Sequence, residues 1–161
     1  MMIRNCAGTD IDTINKIINE ASSAYRGNIP DDCYHEPYMK LTDLESEINA
    51  GVDFWGWEEC DVLVGVMGIQ KVHDVTLIRY AYVSKANQGK GIGSRLLSFL
   101  IKQTTGPLLV GTWAGAYWAI GLYQRHGFSL VPTTENDRLL STYWNISERQ
   151  KETSVVLTQI C

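Results

Sequence analysis

The chain has 161 residues, 45% hydrophobic and 20% charged, the balance of one folded domain rather than of a disordered segment. Fourteen Lys plus Arg against eighteen Asp plus Glu leave a net charge of −4, which argues against nucleic acid as a partner, because polyanion affinity rests on a basic footprint. No apolar run approaches the ~18 residues that cross a bilayer, and Met1 to Asp12 lacks the basic start and apolar centre of a signal peptide, so no membrane partner and a cytoplasmic location are expected.

Ile3 to Cys6 is a short predicted strand. Thr9 stands three residues before Asp12 at capping-box spacing, and Ile11, Ile14, Ile18 and Ala21 recur at helical spacing, so a helix burying one stripe follows. Tyr25 to Tyr38 carries Gly27, Pro30, Asp31, Asp32 and Pro37 and reads as a loop, with more aromatic and polar residues than a connector requires. Thr42 and Glu45 repeat the capping-box spacing for a second helix, which Gly51 stops. From Val52 the period changes to two. Val52 to Trp57, Val62 to Gln70 and Val75 to Val83 are separated by tight breaks at Glu59 to Asp61 and at His73 and Asp74, which predicts an antiparallel meander. Ile92, Leu96, Phe99 and Leu100 mark a third helix that Gly106 and Pro107 terminate, and Leu108 to Trp113 is a buried strand. Ala116, Ala119, Ile120 and Tyr123 mark a fourth helix with Gly127 as its cap. A strand at Phe128 to Val131, a polar segment from Thr134 to Lys151 with a helix at Asp137 to Trp144, and a strand at Ser154 to Thr158 complete the chain. This order predicts a single domain over residues 1–161, a mixed α+β sheet with helices on both faces. Trp55, Trp57, Trp113 and Trp118 are expected in the core. Cys6, Cys33, Cys60 and Cys161 form no C-x-x-C pair and read as reduced thiols; Cys33 and His35 alone are too few for ligands, and no metal is expected.

The segment Val83 to Leu97 leaves a strand and enters a helix through Gly89, Gly91 and Gly93. Glycine lets backbone N–H groups turn toward a ligand, and the helix start adds a positive dipole end, so the loop is suited to a phosphate or pyrophosphate. Lys90 and Arg95 are expected to add charge at its rim. A Walker loop needs Ser or Thr after Gly-Lys, but Gly91 follows Lys90; a Rossmann fingerprint needs Gly or Ala where Ser94 stands, and an acid about 20 residues on that Leu108 to Trp113 does not supply. What remains is Gln-x-x-Gly-x-Gly: Gln88, Gly91 and Gly93.

With that loop the chain resembles the GCN5-related N-acetyltransferase (GNAT) superfamily, which binds the pyrophosphate of acetyl-CoA on a Gln/Arg-x-x-Gly-x-Gly/Ala loop between its fourth strand and third helix. Ala119 to Phe128 is similar to the family's A-x-x-x-Y-x-x-x-G-F segment, and the resemblance spans Ile3 to Val131. It implies the acyl-CoA N-acyltransferase fold, a mostly antiparallel sheet of six to seven strands. It also implies acetyl-CoA as donor, held by Tyr82, Val83, Gln88, Gly89, Lys90, Gly91, Ile92, Gly93 and Ser94, with Leu109 to Thr112 opposite. Tyr123 matches the family's frequent general acid. One departure is Ala116, where the family often has Asn. Homodimers are common in the family, and Trp144 and the last strand are candidates to meet a second subunit.

Acetyl transfer to an amine needs a group that accepts the amine's proton. His35 and Glu36 are the foremost candidates, in the loop that walls the acceptor site in the family, with Tyr25 beside them; Glu58, Glu59, His73 and Asp74 are others. Arg79 stands inside an apolar run, where an unpaired charge is costly, and either pairs with a buried carboxylate or holds an acidic group of the acceptor. The resulting expectation is an N-acetyltransferase acting on a small primary amine, an amino-acid-like compound or an amine drug. The alternative is a non-catalytic acyl-CoA-binding sensor or regulatory module.

Overall fold

Alternating apolar positions build the sheet. In the computed structural model, which describes residues 1–159, β1 (Met2–Asn5), β2 (Asp53–Glu59), β3 (Val62–Val72), β4 (Val75–Val83), β5 (Leu108–Trp113), β6 (Ser129–Leu130) and β7 (Ser154–Gln159) form one sheet. Its order is β1-β2-β3-β4-β5-β7-β6, and every pair is antiparallel except β4 with β5. The helices are α1 (Ile11–Ala21), α2 (Leu41–Asn49), α3 (Ile92–Gln103), α4 (Tyr117–Arg125), α5 (Thr133–Tyr143) and α6 (Glu148–Glu152). This is the expected α+β architecture. The β2–β3 turn is made by Cys60 at φ 49° and Asp61 at φ 64°, the two positive values of the hairpin turn whose twist suits the flanking strands.

Helices cover both faces. Ile14, Ile17 and Ile18 of α1 and Leu44 of α2 pack on Phe54, Leu63 and Val66. On the other face Leu96, Leu97 and Leu100 of α3 and Tyr123 of α4 pack on Trp57, Met67, Ile78 and Val110. Leu139 and Leu140 of α5 lie over Leu77, Leu109 and Val156. Each such wholly buried aliphatic side chain contributes about 1.5–3 kcal/mol, so this pattern dominates the choice of fold. Among the described residues no helix is long and apolar enough to cross a membrane. Cys6, Cys33 and Cys60 are free thiols, and Cys161 lies outside the described residues.

Both capping boxes give way to other solutions. Thr9 sits inside a 3-10 turn (Gly8–Asp10), where Asp10 accepts the Ala7 N–H at 2.7 Å and pairs with Arg4 at 2.8 Å. Helix α2 starts at Leu41, with Lys40 as its N-cap and no side-chain cap. Helix α5 begins before the expected Asp137, and α6 adds a turn whose first N–H groups include that of Gln150, donated to Ser147 at 3.1 Å.

Two irregularities open the sheet at its centre. Val66 pairs with Tyr82 but Gly68 with Arg79, so β4 carries an extra residue there, and Tyr80 takes φ 56°. Strand β4 meets β5 only at Thr76–Leu108, Leu77–Leu109 and Ile78–Val110. Beyond those pairs the two strands part.

Candidate active site

Beyond β4 a 3-10 turn (Lys85–Asn87) leads through Gln88 to Gly91, the N-cap of α3. Gly89 has φ 79° and Gly91 φ 80°, and a Cβ built on either meets nothing within 4 Å. Backbone conformation, not crowding, therefore selects glycine here. No side chain caps the helix, and its first internal bond is Arg95 N–H to Gly91 O at 3.0 Å. The N–H groups of Ile92, Gly93 and Ser94 thus have no partner among the described residues, and they stand at the positive end of the helix in front of open space. The side chain of Gln88 turns inward and donates to Val83 O at 3.0 Å, which braces the loop. Lys90 reaches Asn87 Oδ1 at 3.2 Å. Ser94 Oγ lies 2.5 Å from His126 Nε2, and burial together with Arg125 lowers the pKa of that imidazole.

The rim charge differs from expectation. The Arg95 guanidinium stacks over Trp57, 5.5 Å from its centroid, while Arg125 lines the cleft instead. That cleft, about 550 Å³, is bounded by the glycine loop, by Tyr82 and Val83 of β4, and by Trp118, Leu122 and Arg125 of α4. A second cavity of about 120 Å³ lies where β4 and β5 part, bounded by Arg79, Tyr80, Trp113, Trp144, Gln150 and Ser154 among others. Tyr25, Ala81, Tyr82, Ala119 and Tyr123 border both and form the partition between them.

Aromatic contacts position that partition. The hydroxyls of Tyr25 and Tyr82 lie 3.0 Å apart, and the Tyr25 ring stacks on Trp118 with centroids 5.9 Å apart. Trp113 Nε1 donates to Tyr38 Oη at 2.7 Å. Tyr123 is 4% exposed, yet its hydroxyl has no hydrogen-bond partner among the described residues. Trp55 Nε1 is the one fully enclosed side-chain polar atom there without a partner, so Tyr123 Oη retains access to cavity space. Burial pushes the Tyr123 phenol above its ordinary pKa, so at neutral pH it is protonated and able to donate.

The residues expected on the acceptor side divide. Arg79 lines the smaller cavity and is also paired, with Glu47 at 2.9 Å, Gln70 at 3.0 Å and Tyr80 Oη at 3.1 Å. Tyr25 sits in the partition. Glu36 is in an exposed ion pair with Arg26, and His35 Nδ1 lies 2.7 Å from Pro37 O; neither borders a cavity. The other base candidates are engaged elsewhere: Glu58 with Arg4, Glu59 with Trp57 Nε1 at 3.0 Å, Asp74 with the Tyr143 hydroxyl at 2.8 Å, and His73 against the Tyr143 ring. The fold brings none of them to Tyr123.

Three residues have roles that their sequence context did not indicate. Trp118, expected in the core, is 47% exposed and lines the cleft. Trp144, a candidate for a subunit contact, lies on Gly111, with Cζ2 3.1 Å from where a Cβ would stand, and walls the smaller cavity. Arg149 of α6 makes a two-pronged pair with Asp32, at 2.9 and 3.0 Å, tying the 25–38 loop to the C-terminal helices. Ala116, at the family's usual Asn position, is fully buried with Tyr25, Ile29 and Trp113.

Open backbone donors at a helix start, a β4 that parts from β5 and a buried tyrosine at the junction thus meet in one place, and comparison with known proteins gives the family. The profile of the Acetyltransferase (GNAT) domain matches residues 50–130, half of the chain, and the chain belongs to this acetyltransferase family. No curated protein matches the sequence significantly. Among solved structures, the ribosomal-protein-alanine N-acetyltransferase from Brucella melitensis is 19% identical with a TM-score of 0.69, over 100% of both chains. The PaiA N-acetyltransferase from Thermoplasma acidophilum, in complex with coenzyme A, is 15% identical with a TM-score of 0.71, over 99% of this chain and 98% of that one. YncA from Salmonella typhimurium, solved with its cofactor acetyl-CoA, is 20% identical with a TM-score of 0.65, over 99% and 93%. At these identities the likeness is one of fold.

Proposed function

We propose that the protein transfers an acetyl group from acetyl-CoA to the primary amine of a small molecule, an amino-acid-like compound or an amine drug. The observation that carries this reading is the sharing of one wall, with Tyr123 in it, by the cleft at the glycine loop and the cavity between β4 and β5. The residues suit coenzyme A: the unpartnered N–H groups of Ile92, Gly93 and Ser94 suit its diphosphate, and a 550 Å³ cleft admits the arm beyond it. Coenzyme A in the neighbour PaiA and acetyl-CoA in the neighbour YncA support the same choice. Gly89 and Gly91 set the loop's path, Gln88 braces it, Lys90 adds charge near it, and the β4 backbone at Tyr82 and Val83 flanks the arm.

Acetyl-CoA supplies an activated thioester. The chain's part is to present the amine and to return a proton to the departing sulfur. Tyr123 is the group suited to that proton return, a phenol kept protonated and with no competing partner. A small acceptor fits the second cavity, because the Asp32–Arg149 pair fastens the 25–38 loop beside it and its volume is about 120 Å³. The Brucella neighbour is named for a ribosomal-protein acceptor, so the test must include peptides. The protein is combined with acetyl-CoA and a panel of amino acids, their amides, amine drugs and peptides, and thiol release and product mass are recorded. Acetylation of small amines is expected; acetylation of peptide amino termini alone refutes the small-acceptor reading, and calorimetry without an acetyl-CoA signal refutes the whole. Under the same reading the enzyme is cytoplasmic, and size-exclusion chromatography tests the homodimer implied by the family resemblance.

A further inference from the structure

The chemistry of the two cavity walls restricts the acceptor further. Resting on the acetyltransferase reading above, we infer that the acceptor is a weakly basic amine, of the α-amino amide or arylamine class, which attacks as a free base that the enzyme does not generate. Among the described residues, neither cavity is bordered by an aspartate, a glutamate or a histidine. The ionisable groups that do face the junction are Tyr25 from the turn after α1, Tyr38 from the following loop, Arg79, Tyr80 and Tyr82 from β4, and Tyr123 and Arg125 from α4.

None of these is a base near neutral pH. Burial raises the pKa of Tyr25, Tyr38, Tyr80, Tyr82 and Tyr123 above the ordinary phenol value, and the two arginines hold their protons throughout. Three carboxylates that hold residues or segments around the cavities are themselves committed. Glu47 takes Arg79 at 2.9 Å and the Tyr80 hydroxyl at 2.8 Å, Glu20 takes the Lys85 N–H at 2.6 Å, and Asp32 takes Arg149. Of the two arginines on the walls, Arg79 is neutralised by Glu47 and Arg125 is positive, so neither offers an ammonium a counter-charge. The aromatic faces offer it a cation–π attraction of about 0.5–2 kcal/mol, but an ammonium so held has no lone pair with which to attack. The amine must therefore shed its proton to water before it reacts.

The size of the effect follows from ordinary pKa values. At pH 7.5 an α-amino group of pKa ~8 is about one-quarter free base, whereas an alkylamine of pKa ~10.4 is about one part in a thousand, a difference of roughly 200-fold. The higher nucleophilicity of the alkylamine offsets part of this, so an advantage of about tenfold or more in kcat/KM is expected for the α-amino compound.

The test is kcat/KM against pH, from 5.5 to 10, with alaninamide, n-propylamine and an arylamine that stays uncharged over the range. The expected profiles rise with unit slope to each amine's own pKa, later for propylamine than for alaninamide, and are flat for the arylamine. An inflection between pH 5.5 and 8 common to all three, the arylamine included, reports an enzyme base and overturns this inference while leaving acetyl transfer intact. Acetylation of propylamine but of neither weak base overturns it too. Acetylation of none of the three overturns both this inference and the small-amine reading.

Discussion

Gly91→Ala separates the work of the glycine loop from its stability. Gly91 has φ 80° and a built Cβ meets nothing within 4 Å, so the substitution introduces no clash, only the cost of a left-handed backbone. That cost is about 1–2 kcal/mol, or a fall in Tm of ~2–8 °C for a chain of this length. Gly106 provides a matched control, with φ 84° and equally open surroundings but no place on either cavity. If the N–H groups of Ile92, Gly93 and Ser94 hold a diphosphate, relaxation of φ at Gly91 re-aims them. Each charged hydrogen bond lost is worth about 1.5–3 kcal/mol, which converts to roughly 10- to 150-fold in Kd. Calorimetry with CoA and thermal melts on both variants read the two effects apart. We expect equal losses of Tm and a Kd at least tenfold weaker for Gly91→Ala alone. Equal Kd values in the two variants would refute the cradle.

Tyr123→Phe removes a hydroxyl with no partner, so Tm and CoA affinity should hold while kcat falls about 100-fold or more, the lower range of general-acid effects; steady-state turnover near that of the parent removes Tyr123 from the mechanism. Arg79→Met leaves Glu47, Gln70 and the Tyr80 hydroxyl short of a donor, and a loss of ~2 kcal/mol, or about 4–8 °C in Tm, is expected. An acceptor KM that rises with Tm unchanged shows instead that Arg79 serves the acceptor alone. The Arg4 guanidinium, followed by the Ala7 N–H, lowers the folded-state pKa of Asp10. Stability from a depressed carboxylate is present above its unfolded pKa of ~3.9 and disappears as pH falls through the folded value. Asp10→Asn should thus cost stability in urea melts at pH 7 and close on the parent as the pH falls through the lowered folded-state pKa of Asp10; a pH-independent difference contradicts the linkage.

How far these sites were legible depends on how local they are. The meander could be read because alternation and two tight breaks are written in adjacent residues, and the glycine loop because Gln88 to Ser94 is contiguous. Arg95 was misplaced by one helical step: about 100° of rotation separates it from Ser94, enough to aim it at Trp57. The capping box at Thr9 failed because spacing says nothing of competitors: Asp10, not Asp12, takes the Ala7 N–H and pairs with Arg4, and Thr9 falls inside the turn so formed. The cavity between β4 and β5 was barely legible. Its walls come from Tyr25, Tyr38, Arg79, Trp113, Trp144 and Ser154, far apart in the chain, and a tryptophan in a polar stretch gives no sign that Gly111 waits beneath it. His35 stacks on Tyr38 with centroids 6.3 Å apart, but local hydrogen bonds and an exposed ion pair engage the polar atoms of His35 and Glu36 away from both cavities.

The wall common to the two chambers gives a guest in either one contact with the same residues. Tyr25 and Tyr82 are joined through their hydroxyls, and each shows a surface to both sides. A guest that steadies this pair from one side prepays the ordering that a guest on the other side needs. Whatever factor the first gains for the second is returned in full, since linkage between binding equilibria is reciprocal.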